Sequence, residues 1–290
     1  MANFNLTISP AQIEYLLKPG VNITQAYEIT NNSSENIYLN SEVLPFIPQG
    51  NNGSVTYQNI TPNPNITFSL SNFNLTLGQP FVLAPNAKQQ LVLKIKSSSE
   101  SKLSDSYYTF FVYQVQGQNS TNLPQTTGRI GSHILLSLTN TEDIKTNGEV
   151  SKFMVKPKLK DVFFTPLKFS GEVKNNSSFF FKTTGKITLT KNDQVIKEIK
   201  LEENNVLGNY YRQISCQDLT DCTLTPPLWP GRYTATLSFD ENLHIPASSI
   251  SFFVFPFSPL VILILIFLLV FIPLKFKKYF LKSHPSSTNT

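Results

Sequence analysis

Hydrophobic and polar residues alternate with period two along most of the first 250 positions, in short segments. If the stretch VNITQAYEIT is extended, one of its faces carries the apolar residues Val21, Ile23, Tyr27 and Ile29. The stretch QLVLKIK repeats the pattern, with apolar Leu91, Leu93 and Ile95. Such alternation predicts half-buried antiparallel strands.

Turn-forming residues separate these segments, for example KPG at 18–20, TNNSSEN at 30–36 and APN at 84–86. Strands that recur at such short intervals are typical of a sandwich, and no uninterrupted helical stripe precedes the C-terminal region. The alternation is lost between Asn140 and Val150. We therefore predict an all-β chain of two tandem immunoglobulin-like β-sandwiches, over 1–140 and 150–251, with a linker at 141–149.

Two segments stand out within this pattern. The long Asn-rich stretch from Pro48 to Pro80 predicts an insertion or extended loop on one edge of the first sandwich, either functional or disordered. In WPGRYTATLSF, Tyr233 follows a Pro-Gly turn at the start of the penultimate strand. A tyrosine there commonly donates a hydrogen bond to the corner backbone, so we expect this of Tyr233; the alternative is an ordinary core tyrosine.

An apolar run near the C-terminus predicts one transmembrane helix over 252–274. No charged side chain occurs from Ile250 to Leu274. A helix over these 252–274 positions would rise about 34 Å, enough to cross a hydrocarbon layer of about 30 Å. A buried core helix is the alternative.

Basic residues follow this run directly, namely Lys275, Lys277, Lys278 and Lys282. The positive-inside rule places the tail, 275–290, in the cytoplasm and the two sandwiches outside a plasma membrane. The opening MANFNLTISP has neither the basic start nor the apolar stretch of a signal peptide. A tail-anchored protein with its bulk in the cytoplasm is therefore the alternative topology.

The net charge of +5 does not predict a nucleic-acid partner. Four lysines lie in the tail, which leaves 20 basic against 19 acidic residues elsewhere, so the predicted exterior is nearly neutral. Lysines interleaved with aromatic residues in the tail instead suit anionic lipid head groups. Membrane lipid is thus the partner expected for the C-terminal segment.

Both cysteines, Cys216 and Cys222, lie in CQDLTDC within the predicted exterior. In an oxidising compartment the pair predicts a disulfide, with two free thiols as the alternative. The spacing and the absence of a nearby histidine do not match a zinc site. We expect no metal or cofactor.

Catalytic motifs are missing or misplaced. His133 falls in a predicted strand and is expected to be a packed or edge residue. SESK at Ser99–Lys102 matches the S-x-x-K of penicillin-recognising enzymes, but it follows a strand and lies in a polar loop. LPQTTG at Leu123–Gly128 carries one threonine too many for the sortase signal L-P-x-T-G and lies far upstream of the helix. We therefore predict no catalytic residues and no enzyme activity; the ligand-binding residues stay unknown.

The order of elements resembles the WxL-interacting proteins of the Gram-positive cell surface and related membrane-anchored envelope proteins. The match lies in ISPAQIEYLLKPGVNITQAYEITNNSSENIYL, GRIGSHILLSL, FKTTGKITLTKNDQVIKEIKL, WPGRYTATLSF and FFVFP, followed by the helix and the basic tail. The resemblance implies a first domain that contacts peptidoglycan, a second that contacts other proteins, and no catalysis. The family lacks the long Asn-rich insertion.

Three functions follow from these observations. The first is a non-enzymatic, membrane-anchored surface protein that binds a wall polymer or partner proteins in adhesion or scaffolding. The alternative is an envelope assembly factor that resembles two-domain pilus chaperones, which lend a strand to partner subunits through an exposed edge. The third is an envelope hydrolase.

Overall fold

The structure, a computed structural model, describes residues 5–115, 128–142, 144–156, 160–161, 166–217, 222–225, 228–255 and 257–282. Within these residues the chain forms two immunoglobulin-like β-sandwiches followed by one α-helix. The predicted all-β, two-sandwich fold is confirmed.

The strands of the first sandwich are β1 (Leu6–Ser9), β2 (Gln12–Leu17), β3 (Asn22–Asn31), β4 (Ile37–Pro45), β5 (Ile47–Gln49), β6 (Ser54–Thr56), β7 (Ile66–Leu70), β8 (Phe81–Leu83), β9 (Lys88–Ser97), β10 (Asp105–Gln114) and β11 (Arg129–Leu138). One sheet has the order β1-β3-β9-β7 and the other the order β2-β11-β10-β4-β8. Strands β5 and β6 form a separate hairpin.

The core of the first sandwich contains most of the apolar residues that the alternation placed on one face; Val21, which precedes β3, is instead 41% exposed. Tyr27 and Ile29 of β3 are fully buried and pack with Leu91 and Leu93 of β9. Because side chains alternate across a strand, the polar residues between them face outward.

The N-terminal strand is divided between the two sheets. Strand β1 pairs antiparallel with β3, whereas β2 pairs parallel with β11. The change of sheet falls at Pro10 and Ala11, and the carbonyl of Ala11 accepts a bond of 3.0 Å from the amide of His133. Proline has no amide hydrogen to donate, which suits it to this break.

The strands of the second sandwich are β12 (Gly148–Lys156), β13 (Lys160–Asp161), β14 (Leu167–Asn175), β15 (Phe181–Lys182), β16 (Gly185–Lys191), β17 (Gln194–Lys200), β18 (Asn205–Val206), β19 (Tyr211–Gln213), β20 (Thr223–Leu224), β21 (Gly231–Phe239) and β22 (Ser248–Phe255). One sheet has the order β12-β14-β19, with β20 also on β14, and the other the order β13-β22-β21-β16-β17. A short 3-10 helix spans Glu241–Leu243. Gly148 and Glu149, predicted as linker, belong to β12.

The Asn-rich stretch from Pro48 to Pro80 is not one insertion loop, so that prediction is wrong in part. Residues Ile66–Leu70 form β7, which pairs with β9 at the edge of the first sheet. Its sequence ITFSL alternates, with Ile66 buried, so it fits a half-buried strand. Part of the remainder forms the hairpin of β5 and β6.

The C-terminal helix α1 spans Phe257–Lys282. The predicted start at residue 252 is wrong, because Phe252 and Val254 are buried in the second core as part of β22. Among the residues that the structure describes, no helix is long and apolar enough to cross a membrane. The transmembrane segment therefore stays a prediction.

Candidate functional site

Within the part of the chain that the structure describes, no strand pairs with the outer edge of the first four residues of β11, 129–132, which we call its open half. Strand β11 pairs with β10 from Arg129 to Ser137, but β2 pairs with it only from His133 onward. Among the described residues, none pairs with the outer edge of 129–132. The amide of His133 points outward to β2, and because amides alternate in an antiparallel ladder, those of Arg129 and Gly131 point outward too. This open edge can accept an added strand.

Aromatic side chains cover the outer face of the sheet beside the open edge. The Phe46 and Tyr57 rings lie 6.2 Å apart, and those of Tyr57 and Phe111 lie 5.1 Å apart. The Arg129 guanidinium lies 4.4 Å from the centre of the Phe111 ring. A Cβ at Gly131 would lie 2.9 Å from Phe111, so the close packing of this ring requires glycine there.

His133 is packed into this aromatic surface. Its Nδ1 lies 2.9 Å from Thr109 Oγ1, and its ring lies 4.9 Å from that of Phe46. Burial lowers the pKa of His133, because it disfavours the charged imidazolium. The expectation that His133 is a packed residue is confirmed.

Contacts from the second sandwich hold β2 against the covered half of β11. Glu14 of β2 accepts a hydrogen bond of 2.7 Å from Asn205 Nδ2 and forms an ion pair of 3.1 Å with Lys182. Burial opposes ionisation of this carboxyl, but the bonds from Asn205 and Lys182 and the lysine charge outweigh it, so the pKa of Glu14 is lowered. Strand β2 is thereby fixed on both sides.

A buried carboxylate, Asp105 at the start of β10, joins the two sandwiches. Its oxygens accept hydrogen bonds from Ser137 Oγ at 2.6 Å, from Tyr107 Oη at 2.7 Å and from the Phe180 amide at 2.5 Å. Burial raises the pKa of Asp105, and these three bonds oppose the rise. Since Phe180 belongs to the second sandwich, the carboxylate bridges the domains.

Tyr107 extends this joint. While its hydroxyl donates to Asp105, it accepts a bond of 2.9 Å from the Gly208 amide of the second sandwich. A bond of 3.3 Å also joins the Asp105 amide to the Ser178 carbonyl. Burial, followed by the charge of Asp105, raises the pKa of Tyr107, so it remains a neutral phenol.

The β5–β6 hairpin forms a second bridge. The Asn51 carbonyl accepts a bond of 2.7 Å from the Gln213 amide, and the Asn51 side chain donates to Glu172. Gly53, at a φ of +91°, lies so close to Arg212 that a Cβ would overlap the guanidinium. One part of the stretch predicted as insertion or loop thus contacts the second domain.

The structure brings together some of the residues that the sequence singled out. Cys216 and Cys222 form a disulfide, as predicted. The Tyr233 hydroxyl donates to the Trp229 carbonyl at 2.7 Å, which is the expected corner bond. The side chains of Lys275, Lys277, Lys278 and Lys282 lie outside the described residues.

The structure gives no support for a catalytic role of the S-x-x-K match, and most of the sortase-like match lies outside the described residues. Ser99–Lys102 lies in the loop after β9 and not on a helix. Residues 123–127 of LPQTTG are outside the described residues. Within the described part of the chain, no group of three or more His, Cys, Asp or Glu side chains could hold a metal ion.

Sequence reasoning missed the interdomain residues Glu14, Asn51 and Asp105. The one signal for Asp105 is its position two residues before a run of aromatic and β-branched residues, YYTFFVY, that predicts a buried strand. Nothing local marks Glu14 or Asn51, because their partners lie 121 or more residues away in sequence.

Comparison with known proteins finds similar architecture in distant structures. The Class 5 fimbriae chaperone CfaA aligns over 87% of this chain and 100% of its own, at 13% identity and a TM-score of 0.41. The E. coli chaperone DraB aligns over 86% and 97% respectively, at 15% identity and a TM-score of 0.35.

A third similar structure is the CsuC-CsuE chaperone-tip adhesion subunit complex from Csu pili of Acinetobacter baumannii, over 85% of this chain and 97% of that one, at 11% identity and a TM-score of 0.38. No family model and no curated protein sequence matches this chain. Because these TM-scores and identities are low, we draw no functional argument from them.

Proposed function

We propose that the protein is a non-enzymatic assembly factor of the cell envelope, which binds an extended segment of a partner protein at the open half of β11. The observation that carries this proposal is the outer edge of β11 at 129–132, which pairs with none of the described residues, whereas the rest of the strand is paired on that side. Strand addition uses backbone hydrogen bonds for affinity and nearby side chains for specificity. Here the exposed Arg129 side chain, which lies over the Phe111 ring, contributes to the second.

The interdomain joint supports this function. A strand added to β11 needs an edge whose position does not change on binding, because ordering a mobile segment reduces affinity. Asp105 and Tyr107, which contact the second sandwich, lie in β10, the strand paired with β11. The second sandwich thus supports the sheet that presents the open edge.

The test compares two substitutions at one position. Arg129→Pro removes the outward amide hydrogen and the side chain, whereas Arg129→Ala removes only the side chain. Partner proteins captured by the full chain from an envelope extract, and identified by mass spectrometry, should be lost with Arg129→Pro and reduced less by Arg129→Ala, which keeps the backbone amide. Equal capture by both variants and the parent chain would refute binding at this edge.

We further propose that α1 anchors the chain in the plasma membrane, with both sandwiches outside and the tail 275–290 in the cytoplasm. The described apolar side chains of Leu260–Leu269, Phe271 and Ile272 are 43–73% exposed, so no protein core covers them. An exposed apolar surface of this size marks a site of contact with a membrane or another protein. Protease treatment of intact cells should leave a tag after Thr290 on a small membrane-bound fragment; a full-length chain that resists until the cells open would refute this topology.

Binding of peptidoglycan, which the resemblance to WxL-interacting proteins implies, is the competing proposal. It predicts that the chain sediments with purified wall polymer, and that Arg129→Pro sediments equally well. The two functions therefore differ in their dependence on one backbone amide.

A further inference from the structure

The end of the second sandwich from which α1 leaves is defined by strand register. Gly231 lies opposite Val254, and Lys160 of β13 also lies beside Val254. Since β22 ends at Phe255 and α1 begins at Phe257, the turn before Gly231 lies next to the start of the helix. We call the described side chains at this end the helix-proximal rim: Lys156, Lys191, Trp229, Arg232, Phe253 and Phe255.

Large aromatic side chains are exposed on this rim. Trp229 is 81% exposed, Phe253 67% and Phe255 43%. The backbone at Trp229 is nevertheless held in place by two hydrogen bonds. The Tyr233 hydroxyl donates to the Trp229 carbonyl at 2.7 Å, and Lys191 Nζ donates to the Pro230 carbonyl at 3.0 Å. The fold thus fixes the turn and leaves the indole uncovered. Exposed aromatic patches commonly mark a surface that contacts something else.

Cationic side chains surround these rings. Arg232 is exposed and lies directly opposite Phe253 in the sheet, so both side chains share its outer face. Lys156 is exposed at the end of β12, four positions before the strand that pairs with Val254. Asp193, in the turn after Lys191, is an acidic neighbour, so the rim is basic on balance and not uniformly so.

We propose that the helix-proximal rim rests in the head-group region of a bilayer that contains anionic phospholipid. Tryptophan and phenylalanine beside an apolar helix suit the interface between water and hydrocarbon, where the indole N–H stays hydrated while the ring contacts apolar groups. Lysine and arginine near an anionic surface add favourable electrostatic energy. This inference rests on the proposed anchoring by α1 and adds that the second sandwich itself contacts lipid.

Continuity with α1 favours lipid over a protein partner as the occupant. Phe255 is separated from the first residue of α1 by one residue, so any bilayer that receives the helix meets the rim first. A second copy of the chain would cover the aromatic rings equally well but gives no role to Lys156 and Arg232. The experiment below separates these two occupants.

The sequence contains one tryptophan, so Trp229 reports on the rim without labelling. We would reconstitute the full chain into vesicles of phosphatidylcholine with or without phosphatidylglycerol. We expect Trp229 emission to shift to shorter wavelength, acrylamide quenching to fall, and brominated lipids to quench the indole. Lys156→Glu with Arg232→Glu should reverse these changes in phosphatidylglycerol vesicles and alter them little in phosphatidylcholine alone.

The matched control moves the single tryptophan to the first sandwich. Phe73 is fully exposed there, so Trp229→Phe with Phe73→Trp should show solvent-like emission in every vesicle. Vesicle flotation separates the two proposals. If the chain floats but Trp229 emission stays solvent-like, as in this control, the lipid contact of the rim is refuted and anchoring by α1 is not. A chain that floats with neither vesicle overturns both, and a wavelength shift without quenching by brominated lipid indicates a second copy and overturns lipid contact.

Discussion

The two sandwiches contain the same turn, built from the sequence Asn-Asn-Ser-Ser, but only one of the copies joins the domains. In the first sandwich, Asn31 is fully buried; its amide donates to the Glu35 carbonyl at 2.8 Å and to the Leu83 carbonyl at 3.1 Å, and its oxygen accepts from the Ser33 amide at 2.9 Å. This side chain supplies hydrogen-bond partners for backbone groups that the turn would otherwise leave unpaired.

Asn175 does the same in the second sandwich. It is fully buried, donates to the Phe179 carbonyl at 2.7 Å and to the Val206 carbonyl at 2.9 Å, and accepts from the Ser177 amide at 2.8 Å. The neighbouring loops also correspond. The backbone amides of Asn86, at a φ of 53°, and Asn209, at a φ of 65°, each donate to the carbonyl of the first serine of the turn, Ser33 and Ser177 respectively.

The two loops differ at the residue that precedes each of these asparagines. Gly208 precedes Asn209 and donates its amide to Tyr107, whereas Pro85 precedes Asn86 and has no amide hydrogen. In the second turn, Phe180 also donates to Asp105. A repeated local sequence therefore makes a repeated turn, while small differences beside it decide which copy becomes the joint.

The largest effect is expected from removing either buried asparagine. Asn31→Ala removes bonds to the Glu35, Leu83 and Ala84 carbonyls and to the Ser33 amide. Asn175→Ala removes bonds to the Phe179 and Val206 carbonyls and to the Ser177 amide, so each change should destabilise the affected sandwich by on the order of 3 kcal/mol. Urea unfolding followed by hydrogen exchange measures this for each sandwich. Only Asn175→Ala should also change the interdomain angle seen by small-angle X-ray scattering; an equal change in both variants would contradict the difference between the turns.

The next effect concerns the joint itself. Asp105→Ala leaves the Phe180 amide without its acceptor and should lower the free energy of unfolding by about 2 kcal/mol. Asp105→Asn is the matched control, because its amide oxygen can still accept from Phe180 and Tyr107 while its nitrogen donates to Ser137. If both variants unfold at the same urea concentration, the hydrogen bonds of Asp105 do not hold the domains.

An effect of similar or smaller size is expected in the second sandwich alone. Cys216 and Cys222 close a short loop there, which in the chain-entropy model stabilises by about 2 kcal/mol, with strain and residual structure reducing it. Replacing both cysteines by serine should lower the stability of the second sandwich and leave hydrogen exchange of the first unchanged. Loss of protection in both would mean that the domains unfold together.

The smallest effect is a pH dependence of opposite sign at two interdomain carboxyls. Glu14 has a lowered pKa, so its contribution is present above the unfolded value of about 4 and is lost as pH falls through the folded value. Asp105 has a raised pKa, so stability falls as pH rises from the unfolded value of about 4 through the folded one.

Urea midpoints measured from acid to neutral pH test this pair. Glu14→Gln should remove part of the rise of stability with pH, and Asp105→Asn should make that rise steeper. Parallel pH profiles for the parent chain and both variants would refute the opposite signs.

How much of the fold could be predicted depended on the distance over which each feature is determined. Strand alternation, as in β3 and β9, reports burial on one face and needs only neighbouring residues. The disulfide joins cysteines six positions apart, and the Tyr233 bond reaches four positions back. These local features were predicted correctly.

The helix start was wrong for a related reason. Phe252 to Phe255 is as apolar as the helix that follows, and an apolar run alone does not distinguish a buried strand from a helix. Pairing of Phe252 with Tyr233 settles the matter, and this contact is not local. The same holds for β7, whose assignment depends on its partner β9.

From the sequence alone, two all-β domains, their turns, the disulfide and the apolar C-terminal segment could be inferred, because each depends on residues close together in the chain. Only the tertiary structure places Asp105 beside Phe180 and Glu14 beside Lys182. It alone also shows that the open half of β11 lies beyond the N-terminal end of β2. Those positions depend on how the two sandwiches pack and on where the first strand changes sheets. Contacts between residues 75 or more positions apart leave no periodic pattern in a single sequence.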